Sequence, residues 1–158
     1  MNSRDADTIA QTVAAKLKVK EESLLCMTGS WDVFATPPVL IVDCVHVADH
    51  GFLVSAWSLH YKRRLLRSPQ VLVYDSREKA VEDGVISETV RRIAELIPGS
   101  RLDDKPAEMF ADDPAPWVWC SVNGKAEFVS EKRMENSSRL SNLCATLHEE
   151  IENSLPKR

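Results

Sequence analysis

The chain has 158 residues, 44% of them hydrophobic, which is enough for one folded domain with a sizeable core. Its formal net charge of −4 argues against general nucleic-acid coating, and no apolar run approaches the roughly 20 residues of a membrane helix. The first residues, MNSRDADTIAQ, lack a secretory pattern and the four cysteines form no Cys-x-x-Cys pair, so the expectation is reduced thiols, no zinc ribbon and a cytoplasmic location.

In chain order, a helix comes first. Asp5 or Asp7 is expected to cap it, and Ile9, Val13 and Leu17 with Ala10 and Ala14 give it one apolar stripe. Its end falls between Val19 and Cys26. Gly29 and Pro37-Pro38 then suggest an irregular link, with Trp31, Val33 and Phe34 at the core edge. Val39 to Val47 is dense in β-branched residues and reads as a strand. Ala48-Asp49-His50-Gly51 carries turn chemistry, and Phe52 to Tyr61 is the returning strand. Val71 to Tyr74 is a third strand.

Ser76 is expected to cap a short helical piece from Arg77 to Glu82, interrupted at Asp83-Gly84. From a second cap at Ser87, a helix buries Val90, Ile93, Ala94 and Ile97 and stops at Pro98-Gly99. Residues 100–116 have no periodicity and contain Pro106, Pro114 and Pro116, which reads as a long acidic loop. Trp117 to Ser130 is the clearest element. Asn123-Gly124 between two alternating runs is a two-residue hairpin turn, placing Val122 opposite Lys125 and Trp119 opposite Phe128. A last helix from Lys132 to Asn153 carries the stripe Leu140, Leu143, Cys144, Leu147, Ile151 and Leu155. Such a stripe serves a core or a homodimer equally well.

The expected fold is therefore α+β, a single domain over residues 1–158. It is an antiparallel sheet of about five strands with helices packed on one side, in the order α-β-β-β-α-β-β-α. This order is similar to that of class I type III secretion chaperones, and the resemblance implies a small acidic dimer that holds an effector segment. It rests on element order alone and carries over no residue.

Four chemical features stand out. In VDCVHVADHG, alternation puts Asp43, Val45 and Val47 on one face and Val42, Cys44 and His46 on the other. Cys44 and His46 are thus same-face neighbours, the geometry of two zinc ligands. A third ligand would come from His60, Cys120 or the i, i+4 pair Cys144 and His148. The plainer reading is core and surface residues in a hairpin, with Asp49 and His50 solvated in its turn. No cofactor is expected, and no complete metal set or catalytic motif is present. Asp75-Ser76-Arg77-Glu78-Lys79 lacks the spacing of a restriction-type nuclease. Second, Lys62, Arg63, Arg64 and Arg67 form a basic cluster in YKRRLLRSPQ without the stacking aromatics of a nucleic-acid site. Third, Asp103, Asp104, Glu108, Asp112 and Asp113 crowd together beside Met109 and Phe110. Fourth, Trp117 and Trp119 follow closely. Acids that steer and aromatics that anchor suit a protein interface, whereas a solvated loop and core tryptophans are the plainer account.

The reading these features favour is a non-enzymatic protein-binding module of the inhibitor, immunity or chaperone type, acting on one specific and basic protein partner. Its expected contact residues are Asp103, Asp104, Glu108, Phe110, Asp112, Asp113, Trp117 and Trp119. The alternatives are a metal-dependent hydrolase or nuclease around Asp43, His46, His50 and His60, and a nucleic-acid-binding regulator using Lys62 to Arg67.

Overall fold

The structure is a computed structural model that describes residues 1–82, 84–97 and 115–157. Helix α1 (Ser3–Leu17) leads through a 3-10 turn (Glu21–Ser23) into four antiparallel strands: β1 (Leu24–Asp32), β2 (Val39–Ala48), β3 (Gly51–Lys62) and β4 (Gln70–Val81). Helix α2 (Gly84–Leu96) follows, then the hairpin β5 (Trp117–Val122) and β6 (Lys125–Val129), and finally α3 (Glu131–Met134) and α4 (Ser138–Ser154). The six strands form one sheet in the order β4-β3-β2-β1-β5-β6, each neighbouring pair antiparallel. The α+β class and the antiparallel sheet are as expected, with six strands in place of about five. The element order roughly matches the expected one, with a fourth strand before α2 and the last helix divided in two.

Three local expectations are corrected. Residue Asn2, not Asp5 or Asp7, caps α1, its side chain accepting from the Asp5 amide at 2.8 Å. That frees Asp5 and Asp7 for partners outside the helix. Second, the link around Gly29 is strand β1, buried on both faces at its centre. A Cβ at Gly29 would sit 2.3 Å from the Trp117 ring, so the glycine admits that indole against the backbone, a demand that local propensity does not register. Third, residues 75–81 continue β4 and do not start a helix. They pair along the first half of β3, and this long-range pairing overrides the capping pattern at Ser76. Tyr74 has no opposite residue, because Asp75 faces Ser58 while Val73 faces Leu59, which marks a bulge on an edge strand.

The last helix is broken at Ser137, whose side chain accepts from the Leu140 amide and starts α4. The hairpin has the expected register, with Val122 opposite Lys125 and Trp119 opposite Phe128. The expected α4 stripe is buried from Leu140 to Leu155.

Helices cover both faces of the sheet, not one. On one face α1 packs Ile9, Ala10 and Val13 against Met27, Val42, Trp57 and Trp117. On the other, α2 and α4 pack Ile93, Leu140 and Leu147 against Cys26, Val45 and Val118. Among the described residues, no helix is long and apolar enough to cross a membrane.

Candidate functional site

Two regions stand out from the apolar packing. The first is a polar cluster beneath the last two turns of that helix. Asp43 sits mid-strand in β2, opposite Thr28 of β1 and Ala56 of β3, and is only 4% exposed. One oxygen, Oδ2, lies 2.6 Å from Nδ1 of His148, while Oδ1 is buried without a partner among the described residues. Helical spacing brings Glu152 to the same side as His148. Glu152 accepts from Nη2 of Arg77 with both oxygens at 2.7 Å. Arg77 belongs to β4, opposite Ala56, so strand alternation carries it to this face.

Burial pushes the Asp43 carboxyl above the usual carboxylate range, partly offset by its hydrogen bond to His148. That same bond raises His148 above an ordinary imidazole, because Asp43 favours its cationic form. The His148 side chain is 48% exposed, so the cluster opens to solvent on one side. One ligand-type atom each from Asp43, His148 and Glu152 lies within 4.8 Å of the others.

The second region is the end of the sheet beyond α4. Antiparallel pairing places the β1–β2 loop (33–38) and the β3–β4 loop (63–69) at the same end. Large apolar side chains stand in solvent there: Phe34 is 82% exposed, Leu65 89%, Leu66 96%, Tyr74 70% and Leu72 54%. A shallow groove of about 320 Å³ runs between Pro37-Pro38, His60 and Leu72. The His60 and Tyr74 rings meet edge-to-face with centroids 5.4 Å apart. Lys62, Arg63, Arg64 and Arg67 are all exposed in this end. Arg63 is tied back to Asp5 at 3.1 Å, and Asp5 also accepts from the Tyr61 hydroxyl at 2.5 Å. Leu66 adopts φ +57°, a left-handed conformation unfavourable for a leucine that gains no burial from it.

The residues expected to form a hydrolase centre are not brought together. Asp43 and His46 project to opposite faces of the sheet, His50 lies in the exposed β2–β3 turn, and His60 belongs to the open end. His46 is fully buried beside the α1 face, and neither ring nitrogen has a partner among the described residues. Burial lowers its pKa to about 4, so the ring is neutral at physiological pH. Cys44 shares the His46 face as expected, but burial raises its thiol well above the ordinary value, which withdraws the nucleophilic thiolate. Cys144 is likewise buried against the sheet, while His148 one turn later engages Asp43, so these two do not face one point.

Trp117 and Trp119, expected as partner anchors, lie buried in the core. Trp117 is fully buried over Gly29, and Trp119 donates its indole N–H to Asp7 at 3.1 Å. Asp103, Asp104, Glu108, Phe110, Asp112 and Asp113 lie outside the described residues. Sequence reasoning missed Glu152 and Arg77. The signals that would have found them are the i, i+4 spacing of His148 and Glu152 and the alternation along β4. It also missed the apolar half of the open end, although Leu65-Leu66 stands between the basic residues. Comparison of the chain with protein-family models, with curated proteins and with solved structures returns no match.

Proposed function

We propose that this protein is a non-enzymatic protein-binding module that docks one partner on the open end of its sheet. The observation that carries this reading is the grouping of Phe34, Leu65, Leu66, Leu72 and Tyr74, all more than half exposed, beside four exposed basic residues. Single exposed leucines need no explanation, but several large apolar side chains exposed at one end of a sheet, with basic residues among them, have the composition of an interaction surface. Its energetics follow from its parts. The apolar groups supply burial on association, and Tyr74 is a rigid aromatic suited to a hot spot. The basic rim steers an acidic partner.

The open end thus selects a partner segment that is apolar and acidic, the opposite of the basic partner expected from the acids at 103–113. Strand β4 is a sheet edge, so an extended segment can also add to it through backbone hydrogen bonds. Escort or blockade of that partner, as by a chaperone, inhibitor or immunity protein, is the role such a module performs.

The test is co-purification from the native source by the wild-type chain and by a Leu65→Ser, Leu66→Asn, Leu72→Ser variant. One stoichiometric protein is expected with the wild type and none with the variant. Equal capture by both would overturn the reading. Replacing Asp103, Asp104, Glu108, Asp112 and Asp113 by Asn or Gln tests the acidic element separately, and capture is expected to persist.

A further inference from the structure

The polar cluster under α4 carries an inference independent of the docking end. A strand carboxylate, a helix imidazole and a second helix carboxylate converge, with one ligand-type atom from each within 4.8 Å of the others. Ligand atoms around a tetrahedral ion at about 2.1 Å stand roughly 3.4 Å apart. Side-chain rotations of about an ångström therefore bring the three to bonding distance. Asp43 gives a second and separate sign. Its Oδ1 is buried and has no partner among the described residues, although a buried acceptor without a partner costs on the order of 1–3 kcal/mol. Its other oxygen is held to His148 Nδ1 at 2.6 Å through a single shared proton.

We propose that Asp43, His148 and Glu152 form a binding site for a divalent transition metal ion, with zinc the best match to the donor set. One imidazole nitrogen and two carboxylate oxygens suit zinc and its neighbours. Calcium and magnesium favour all-oxygen shells, and copper(I) favours thiolates and thioethers. On binding, the ion takes the place of the proton between Asp43 and His148, and that proton is released to solvent. Arg77 stays on one oxygen of Glu152 and orients the other toward the ion, the role of an outer-sphere donor. With the shared proton in place the Asp43–His148 pair, Glu152 and Arg77 sum to zero, and its release leaves −1, so an entering dication is not opposed by the net local charge. The half-exposed side of His148 supplies an entry path and leaves room for water at the remaining coordination position. The ion would cross-link β2 to the last turns of α4.

The experiment uses the full chain after chelator treatment. Zinc is titrated calorimetrically, and cobalt(II) is followed by its visible absorption. The expected result is one ion per chain, a tetrahedral cobalt spectrum and a higher melting temperature with zinc. His148→Ala and Glu152→Gln are each expected to weaken binding at least about tenfold. Glu152→Gln nearly preserves shape, which guards against a variant that merely unfolds, and circular dichroism checks both. A His50→Ala, His60→Ala variant is expected to bind as the wild type does. Absence of saturable one-to-one binding, or binding unchanged in His148→Ala and Glu152→Gln, or binding lost in the His50, His60 variant, would each overturn the proposal.

Discussion

The helix-covered part of the sheet buries polar groups, and the open end exposes apolar ones. Under α4 lies Asp43, 4% exposed, and under α1 lies His46, fully enclosed; one oxygen of the first and both ring nitrogens of the second have no partner among the described residues. At the open end Leu66 is 96% exposed and held at positive φ. Each arrangement reverses the usual preference of its residue type. Under the proposed function, stability and binding fall to different parts of one sheet. Changes under the helices should move the melting curve, and changes at the open end should move only association.

The largest expected effect concerns His46. Its folded pKa of about 4 lies below the ordinary imidazole value of 6.5, so the unfolded chain binds the proton more readily. Stability is therefore full above pH 6.5 and falls as pH drops toward 4, by about 3 kcal/mol. His46→Leu removes both the titration and the unpaired nitrogens. The variant should match or exceed the wild type at pH 7 and keep most of its stability at pH 4.5, as read by urea unfolding at the two pH values. Next in size is Gly29→Ala. The new methyl would press into the Trp117 ring at 2.3 Å, and the expected loss is about 1–3 kcal/mol in the same assay.

His148 sharpens the comparison because its shift has the opposite sign. Asp43 raises its pKa, so its contribution is present below about pH 6.5 and is lost as pH rises through the folded value. His148→Gln should cost about 1 kcal/mol near pH 6, a figure reduced for the half-exposed ring, and less near pH 8. Two imidazoles, His46 in β2 and His148 in α4, would then show opposite pH slopes, separable by single substitutions. The smallest stability change belongs to the open end. Leu65→Ser, Leu66→Asn and Leu72→Ser together should stay within about 0.5 kcal/mol of wild type per site while partner capture is lost. A large drop in melting temperature for this variant would break the division between the two parts of the sheet.

Much of the fold was legible because its signals are local. Asn123-Gly124 specifies its own turn, and the α4 stripe repeats at helical spacing. Strand β1 was not legible. Gly29 and Ser30 weaken its strand character, and it forms because β2 and β5 pair on either side of it. The second half of β4 was misread for the same reason, since residues 75–81 take their conformation from β3. The placement of helices on both faces depended on β1 being central, so it went unseen too.

The candidate sites follow the same rule. Asp43 and His148 were visible as chemistry-bearing residues, but 105 positions separate them and no periodicity links a strand to a helix so far away. The basic stretch 62–67 was readable as a patch. Its apolar companions Phe34 and Tyr74 come from other segments, and only the antiparallel sheet gathers them at one end.

In the proposed function the open end of the sheet is the partner surface. The most direct test places a photo-activatable cross-linking amino acid at Tyr74 in one preparation and at Asn142, exposed on α4, in another. Irradiation in the native lysate should give one discrete adduct from position 74 and none from position 142. Adducts from position 142 alone, or the same spread of products from both positions, would contradict it.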